Sequence, residues 1–191
     1  LGPAKFADPD VTAKGEPRAQ VALSRLKTLW FNTGSLCNIA CDNCYIESSP
    51  TNDRLGYLGA AEVGGYLDEI VRERMPVEEI GFTGGEPFMN RELPAMLEES
   101  LGRGFRVLVL TNAMKPMHHH RERLLALRAA YGGALTLRVS VDHHTRDKHE
   151  QLRGQGTWDP MLEGLHWLAN NGCAHEGRVA TRLGLHGIPE A

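Results

Sequence analysis

Short apolar segments alternate along this chain with longer segments that carry apolar residues at helical spacing. A short apolar run bounded by turn residues is typical of a buried strand, and apolar residues three and four positions apart are typical of an amphipathic helix. Five segments predict strands, at 28–33, 78–83, 105–112, 134–142 and 178–185, and four predict helices, at 60–75, 91–104, 116–133 and 157–172. Strands that alternate with helices favour right-handed βαβ units, and therefore a parallel α/β sheet or barrel.

The chain divides into a leader and one core domain. Residues 1–27 contain scattered proline and glycine in polar surroundings, so we expect an irregular leader there. Residues 28–191 are expected to form a single α/β core. About five βα units are visible, and the chain begins with Leu1 and stops at Ala191 soon after a strand-like segment. This favours a core that is cut short or is completed by something outside the chain.

Charge and composition exclude several classes of partner. The net charge is −3, from 21 Lys and Arg against 24 Asp and Glu, and no basic run offers a surface for nucleic acid or an anionic membrane. We find no stretch of the roughly 18 to 20 apolar residues that a membrane span needs, and no secretory signal, so we expect a cytoplasmic protein. Four cysteines are too few for a disulfide framework in a chain of this length, which favours reduced thiols that bind a metal.

The unusual residues follow the predicted strands. Three cysteines follow the first strand, residues 84–87 follow the second and 111–112 the third, while 140–144 and 186–187 end the fourth and fifth. In parallel α/β sheets and barrels, the loops at the carboxyl ends of the strands carry the chemistry, and the opposite edge stabilises the fold. The sequence therefore predicts one functional site at which these loops meet.

The cysteine loop itself indicates the kind of metal centre. Cys37, Cys41 and Cys44 lie within eight residues, at positions i, i+4 and i+7. Three thiolates on so short a loop can hold an iron–sulfur cubane from one side, and because such cubanes usually have four thiolates, one iron stays open for a substrate or cofactor. A zinc ion held by these cysteines and a histidine is the alternative, although no histidine lies between residues 31 and 87. Cys173, far along the chain, is expected to be a small, partly buried residue.

The spacing Cys37-x3-Cys41-x2-Cys44 after one strand, with Gly-Gly-Glu-Pro at 84–87 after the next, resembles the radical S-adenosylmethionine (radical SAM) superfamily over about residues 28–190. The resemblance implies a partial, TIM-like (βα)6 barrel, a [4Fe–4S] cluster held by the three cysteines, and SAM bound through its amino and carboxylate groups to the open iron. It implies that an electron from the cluster cleaves SAM to methionine and a 5′-deoxyadenosyl radical, which abstracts hydrogen from a substrate that the sequence does not identify. A reductant such as flavodoxin or ferredoxin is the expected partner.

The resemblance also implies roles for the residues that follow the second strand. Gly84 and Gly85 are expected to let the backbone approach the cofactor where a Cβ would collide, and Pro87 to stiffen the turn. Glu86 is expected to accept a hydrogen bond from the ammonium group of SAM. A glycine turn with a solvated glutamate is the simpler interpretation of these four residues taken alone.

Other positions resemble the family in part. Ser140 and Asp142 resemble the polar patch that meets the carboxylate or ribose of SAM, although such residues are also common in turns. Tyr45 is expected to pack beside the cofactor or in the core. Asn43 stands where many family members have an aromatic residue near adenine. The fifth strand of the family ends in Gly-x-Ile-x-Gly-x-x-Glu, which residues 183–190 match weakly.

The histidines give weaker indications of function than the cysteines do. Residues 118–120 are three consecutive histidines, but neighbours on a helix point in different directions, so a solvated helix start is expected rather than a metal site. His143, His144 and His149 follow the fourth strand and could transfer protons.

Taken together, these motifs predict a radical SAM enzyme, and the alternative is a non-catalytic iron–sulfur or zinc module for electron transfer or partner organisation.

Overall fold

The computed structural model describes residues 8–12 and 14–172 of the chain. Within them lie four strands, β1 Thr28–Asn32, β2 Glu79–Thr83, β3 Arg106–Thr111 and β4 Leu135–Val139. The helices in this part of the chain are α1 Ala60–Arg72, α2 Leu93–Gly102, α3 Lys115–His118, α4 Arg121–Tyr131, α5 Arg146–Arg153 and α6 Trp158–Asn170. Single 3-10 turns lie at Pro87–Met89 and Gly132–Ala134. The predicted strand at 178–185 lies outside the described residues.

The strands form one parallel sheet. Their order is β1-β2-β3-β4, so that each strand pairs with its neighbour in sequence. Phe31 of β1 is level with Phe82 of β2, which is level with Val109 of β3. Parallel neighbours cannot be joined by a tight turn and need a crossover, which helices supply between these strands. The predicted parallel α/β class, with strands alternating with helices, is confirmed.

Helices cover one face of the sheet and form the core with it. The buried side chains come from alternate strand positions and from α1, α2, α4 and α6, and include Phe31, Phe82, Val109, Val139, Leu67, Leu97, Leu124 and Met161. Burial of each such side chain stabilises the fold by about 1.5–3 kcal/mol. Successive side chains of a strand point to opposite faces, so Trp30 and Leu110 lie on the other face, which we call the open face.

One predicted helix and one predicted strand boundary are wrong, and one helix is not predicted. The segment predicted as one helix at 116–133 is divided into α3 and α4, and His120 at the break packs its ring against Phe88, 5.8 Å between centroids. Strand β4 ends at Val139 and not at residue 142. Helix α5 is not predicted because its eight residues include one apolar side chain, Leu152, too few to show a helical period.

Little regular structure precedes the sheet. In residues 8–12 and 14–27, a single antiparallel bridge joins Val11 to Pro17, and no helix or strand forms. The boundary between a leader at 1–27 and the core stays a prediction. None of the described helices has both the length and the apolar content needed to cross a membrane.

Candidate active site

A cavity of about 250 Å³ opens at the carboxyl end of the sheet. Its wall contains all three cysteines of the loop after β1, together with residues that end or follow β2, β3 and β4. Those residues are Thr83, Gly84, Gly85, Leu110, Thr111, Asn112 and Ser140, and Arg153 at the end of α5 completes this side. The structure therefore brings the loops of the first four strands to one place.

Backbone hydrogen bonds hold the cysteine loop against its own return segment. The N–H of Cys37 donates to the carbonyl of Ser49 at 3.1 Å, and Leu36 and Ser49 form a parallel bridge. The N–H of Cys44 donates to the carbonyl of Cys41 at 3.2 Å, which closes a tight turn. The loop is therefore shaped by its own backbone, and the side chains are turned toward the cavity wall.

Two donors point at the thiol sulfurs. The N–H of Ser48 donates to Cys44 Sγ at 3.3 Å, and Asn112 Nδ2 lies 3.9 Å from Cys37 Sγ. Burial raises the pKa of Cys37 to about 11. Burial also raises the pKa of Cys41, although the positive charge of Arg153 lowers it in part. These thiols are therefore protonated near neutral pH, and a metal that binds them must displace protons.

Gly84 and Gly85 pack directly on the cysteine loop. A Cβ on Gly84 would lie 2.6 Å from the carbonyl oxygen of Gly34, and a Cβ on Gly85 would lie 2.1 Å from that of Leu36. The N–H of Gly85 donates to Gly34 O at 2.9 Å. The space that side chains would need is thus filled by protein backbone, so the glycines allow two loops to approach each other while they also line the cavity.

Glu86 lies behind the cavity wall and does not line it. Its side chain is 2% exposed and accepts from Thr111 Oγ1 at 2.8 Å, from the N–H of Asn112 at 2.8 Å and from the N–H of Phe88 at 3.2 Å. Burial raises the pKa of this carboxyl to about 7, although the three hydrogen bonds and the charge of Arg153 lower it. Glu86 therefore ties the turn after β2 to the end of β3, and Pro87 begins the buried 3-10 turn beside it.

Asp142 is paired with Arg153, and the sequence alone indicates no role for this arginine. The carboxylate accepts from the guanidinium Nε, and both side chains are largely buried, 18% and 14% exposed. Arg153 lines the cavity whereas Asp142 does not. The N–H of Asp42, beside the second cysteine, donates to the carbonyl of Leu152 at 2.9 Å, so the end of α5 is fastened to the cysteine loop. Gly154, which stops the helix, is the one local signal of this arrangement.

Of the other residues predicted from the sequence, some line the cavity and some do not. Asn43, Tyr45 and Ser140 line the cavity, and Tyr45 is 84% exposed, so it does not belong to the core. The three histidines after β4 lie outside the cavity wall, and His149 is completely buried with its ring 5.3 Å from that of Trp158. The expectation of a solvated start at 118–120 is partly wrong, because two of these three histidines are half-buried. Cys173 lies outside the described residues.

The donor set fits an iron–sulfur cluster. In residues 8–12 and 14–172, no three His, Cys, Asp or Glu side chains are arranged to hold one metal ion. Three thiols nevertheless share one cavity wall, and in a cubane each thiolate binds a different iron, so the sulfurs need not converge on one point. Thiolates are the ligands that such clusters use, and the cysteine loop supplies them from one side of the cavity.

Comparison with known families assigns the chain to a class of protein. The model of the Radical SAM superfamily matches residues 31–191, which is most of the chain. The chain belongs to the radical SAM superfamily. This confirms the predicted family, and membership of it implies the two predicted cofactors, a [4Fe–4S] cluster and SAM.

Individual relatives are distant. Fe-coproporphyrin III synthase of Methanosarcina barkeri is 28% identical over 148 residues, 77% of this chain and 34% of the relative. The AdoMet-dependent heme synthase of Nitratidesulfovibrio vulgaris is 23% identical over 94% of this chain and 47% of the relative. Mycofactocin maturase MftC of Mycobacterium tuberculosis is 28% identical over 72% of this chain and 33% of the relative. The chain thus spans about a third to a half of these curated relatives.

Solved structures share the fold. The crystal structure of Streptococcus suis SuiB bound to S-adenosylmethionine superposes with a TM-score of 0.62 at 15% identity, over 78% of this chain and 32% of that one. A second, anSMEcpe with bound AdoMet, superposes with a TM-score of 0.58 at 16% identity, over 78% of this chain and 41% of that one. At these identities the likeness concerns the fold, and it agrees with a partial TIM-like barrel.

Proposed function

We propose that the chain is the cofactor-binding part of a radical SAM enzyme, in which Cys37, Cys41 and Cys44 hold a [4Fe–4S] cluster and SAM occupies the open iron. The observation that carries the proposal is the cavity that these thiols share with Gly84 and Gly85. When bound, the reduced cluster supplies the electron that cleaves SAM to methionine and a 5′-deoxyadenosyl radical, which abstracts hydrogen from the substrate.

The carboxylate end of SAM is assigned to Arg153 and Ser140. Both line the cavity, and a guanidinium and a hydroxyl are suitable donors for a carboxylate. Asp142 contributes to this contact indirectly, because its ion pair fixes the direction of the Arg153 side chain. The sequence predicts that Asp142 contacts SAM, whereas in this assignment Asp142 positions Arg153 and Arg153 contacts SAM.

The ammonium end of SAM is assigned to the turn at 84–87. A carboxylate offers about four acceptor positions, and Glu86 uses three of them within the protein. In this proposal the ammonium group takes the remaining position, which requires the turn at 84–87 to open toward the cavity because Glu86 is 2% exposed and lies behind its wall. Such a contact would compensate the cost of ionising a buried carboxyl. Gly84 and Gly85 present backbone on the cavity side of the same turn.

The proposed enzyme needs an external electron donor and a substrate. A low-potential carrier such as flavodoxin or ferredoxin is the proposed reductant, and a cytoplasmic location is proposed because these cysteines must stay reduced. The named relatives include a heme synthase and a mycofactocin maturase, so they do not select one substrate.

Anaerobic reconstitution tests the proposed function. The full-length protein should bind iron and sulfide, show an electron paramagnetic resonance (EPR) signal that changes when SAM is added, and release 5′-deoxyadenosine when dithionite is supplied. A protein that carries a full cluster but shows neither a SAM-dependent signal nor 5′-deoxyadenosine would instead be an electron-transfer module.

A further inference from the structure

The side-chain amide of Asn112 faces the most buried of the three cysteines. Asn112 follows β3, lines the cavity and is 4% exposed. Its Nδ2 donates to Asn38 Oδ1 at 2.8 Å and lies 3.9 Å from Cys37 Sγ. Cys37 is 6% exposed, whereas Cys41 and Cys44 are half-buried, so water contributes least at Cys37. In the described part of the chain, Asn112 is the one residue whose side chain hydrogen-bonds a cysteine sulfur.

Hydrogen bonds on its other side fix the direction of this amide. The N–H of Met114 donates to Asn112 Oδ1 at 3.0 Å, and because a backbone N–H can only donate, Nδ2 must be the atom that faces Asn38 and the thiol. Asn38 Nδ2 in turn donates to Met114 Sδ at 3.6 Å. The backbone N–H of Asn112 is held by Glu86 at 2.8 Å. The donor toward Cys37 is therefore oriented by the protein itself.

The backbone that follows Asn112 is strained. Ala113 has a φ of 58°, in the left-handed region that residues other than glycine rarely adopt. Its carbonyl packs against Gly164 of α6, where a Cβ would lie 1.9 Å from Ala113 O. Strain of this kind persists when the surrounding structure imposes it, and it is concentrated at functional sites. Here the strained turn brings the N–H of Met114 back to the Asn112 side chain.

A donor beside a ligand sulfur affects the two oxidation states of a cluster differently. A neutral thiol is a weak acceptor, which agrees with the 3.9 Å contact, whereas a thiolate accepts a stronger, charge-assisted hydrogen bond. Reduction adds one electron, and the added negative charge strengthens hydrogen bonds to the sulfurs. Such bonds are among the properties that set the reduction potential of an iron–sulfur cluster. A donor at Cys37 therefore favours the reduced form.

We propose that Asn112 is a positioning residue that acts through Cys37 and raises the reduction potential of the cluster. The role of Asn112 rests on the proposed function, since it requires that Cys37 binds the cluster. The one electron that the cluster gains is the electron that the flavodoxin-like or ferredoxin-like carrier loses. The hydrogen bond at Cys37 makes this transfer more favourable.

Redox titration of the full-length, reconstituted protein without SAM, followed by EPR, tests the proposal. Asn112→Ala should make the midpoint potential more negative by about tenfold in the equilibrium between the two forms, or about 59 mV for one electron. Asn112→Asp should shift the potential further in the same direction, because it removes the donor and adds a negative charge. Asp keeps an acceptor for the N–H of Met114, so this variant preserves the turn if alanine disrupts it.

Two other asparagines provide matched controls. Asn90 is also buried, but its amide donates to the carbonyls of Thr33 and Leu58 and it does not line the cavity. Asn43 lines the cavity, and in the described part of the chain its side chain donates to no cysteine sulfur. Asn90→Ala and Asn43→Ala should both keep the wild-type potential.

The outcomes separate the role of Asn112 from the proposed function. An unchanged or less negative potential in Asn112→Ala, an equal shift in either control, or loss of the cluster from both Asn112 variants would overturn it. If Asn112→Ala alone lost the cluster, a wild-type potential in Asn112→Asp would overturn it. A wild type that assembles no cluster would overturn the proposed function as well. A wild type with a cluster whose EPR signal ignores SAM would contradict the proposed function alone, because the potentials are compared without SAM.

Discussion

The carboxylate of Asp142 is paired with the guanidinium of Arg153, and this pair joins the segment after β4 to the last residue of α5. Both side chains are more than four-fifths buried, whereas the pair that Arg146 of α5 forms with Asp159 of α6 is exposed. Buried ion pairs are sensitive to the loss of one partner, because the other charge is left without compensation. The pair therefore fixes one cation at the cavity wall.

Asp142→Asn should weaken SAM binding without loss of iron. Arg153 would lose its fixed direction, and a charge-assisted contact with SAM of about 1.5–3 kcal/mol would be impaired, which corresponds to roughly tenfold or more in affinity. Arg153→Gln should have a similar effect, and the double variant should be little worse than either, since both changes remove the same contact. The SAM dependence of the EPR change measures this.

Asp159→Asn is the matched control for that experiment. Its pair with Arg146 is on the surface, where an ion pair contributes about 0–1 kcal/mol, so SAM affinity should stay at the wild-type value. If Asp142→Asn and Asp159→Asn behaved alike, α5 would have no specific role in binding SAM.

Glu86→Gln should remove one pH-dependent contribution to stability. Burial raises the pKa of Glu86 from 4.5 to about 7, so the folded state keeps a proton that the unfolded state releases. The stability that this proton provides is fully present below pH 4.5 and is lost as the pH rises through about 7. The difference in unfolding free energy should therefore move in favour of Glu86→Gln between pH 4.5 and 8, by on the order of 3 kcal/mol.

Denaturant unfolding of the SAM-free protein at several pH values measures this shift, with Glu98→Gln as the control because Glu98 is half-exposed. If the difference in unfolding free energy between the wild type and Glu86→Gln stayed constant across the pH range, Glu86 would be ionised throughout. Glu86→Gln should also keep its iron and bind SAM less tightly, since an amide attracts an ammonium group less than a carboxylate does.

Gly85→Ala should destabilise the fold and impair cluster binding together. The new Cβ would lie 2.1 Å from the carbonyl oxygen of Leu36, which is backbone and cannot move without the cysteine loop. We expect a loss of about 1–3 kcal/mol in unfolding free energy and a lower iron content after reconstitution. Gly65→Ala is the control, since nothing lies within 4 Å of a Cβ there and alanine should stabilise α1 by about 0.5–1 kcal/mol. Normal iron content in Gly85→Ala would show that the two loops pack independently.

Alanine at Cys37, Cys41 or Cys44 should remove most of the iron and all 5′-deoxyadenosine. Each thiolate is expected to bind a different iron, and no other cysteine in the described residues can replace it. Cys173→Ser should keep both iron and activity. Iron analysis, EPR and 5′-deoxyadenosine yield for the four variants provide the comparison. Loss of the cluster in Cys173→Ser would indicate a closed, four-thiolate site.

The fold and part of the site could be predicted because their signals are local in sequence. Parallel strands buried on one or both faces need short apolar runs, and the run at 105–112 predicts β3 for that reason. The cysteines are predictable as a group because three thiolates on one short loop have few other uses. Helix α5 could not be predicted, because one apolar side chain gives no period and its position depends on the Asp142–Arg153 pair and on a backbone contact with the cysteine loop.

The sequence by itself determined the parallel α/β class, the order of its units and the loop that carries the metal ligands, since each depends on spacing along a few residues. The tertiary structure alone decided which polar groups reach the cavity. It turned Glu86 toward Thr111 and Asn112 on the next strand, filled the space at Gly85 with the backbone of Leu36, and brought Arg153 to the wall. These contacts join residues that are distant in sequence, and burial, hydrogen bonding and charge pairing select them only after the sheet and helices have packed.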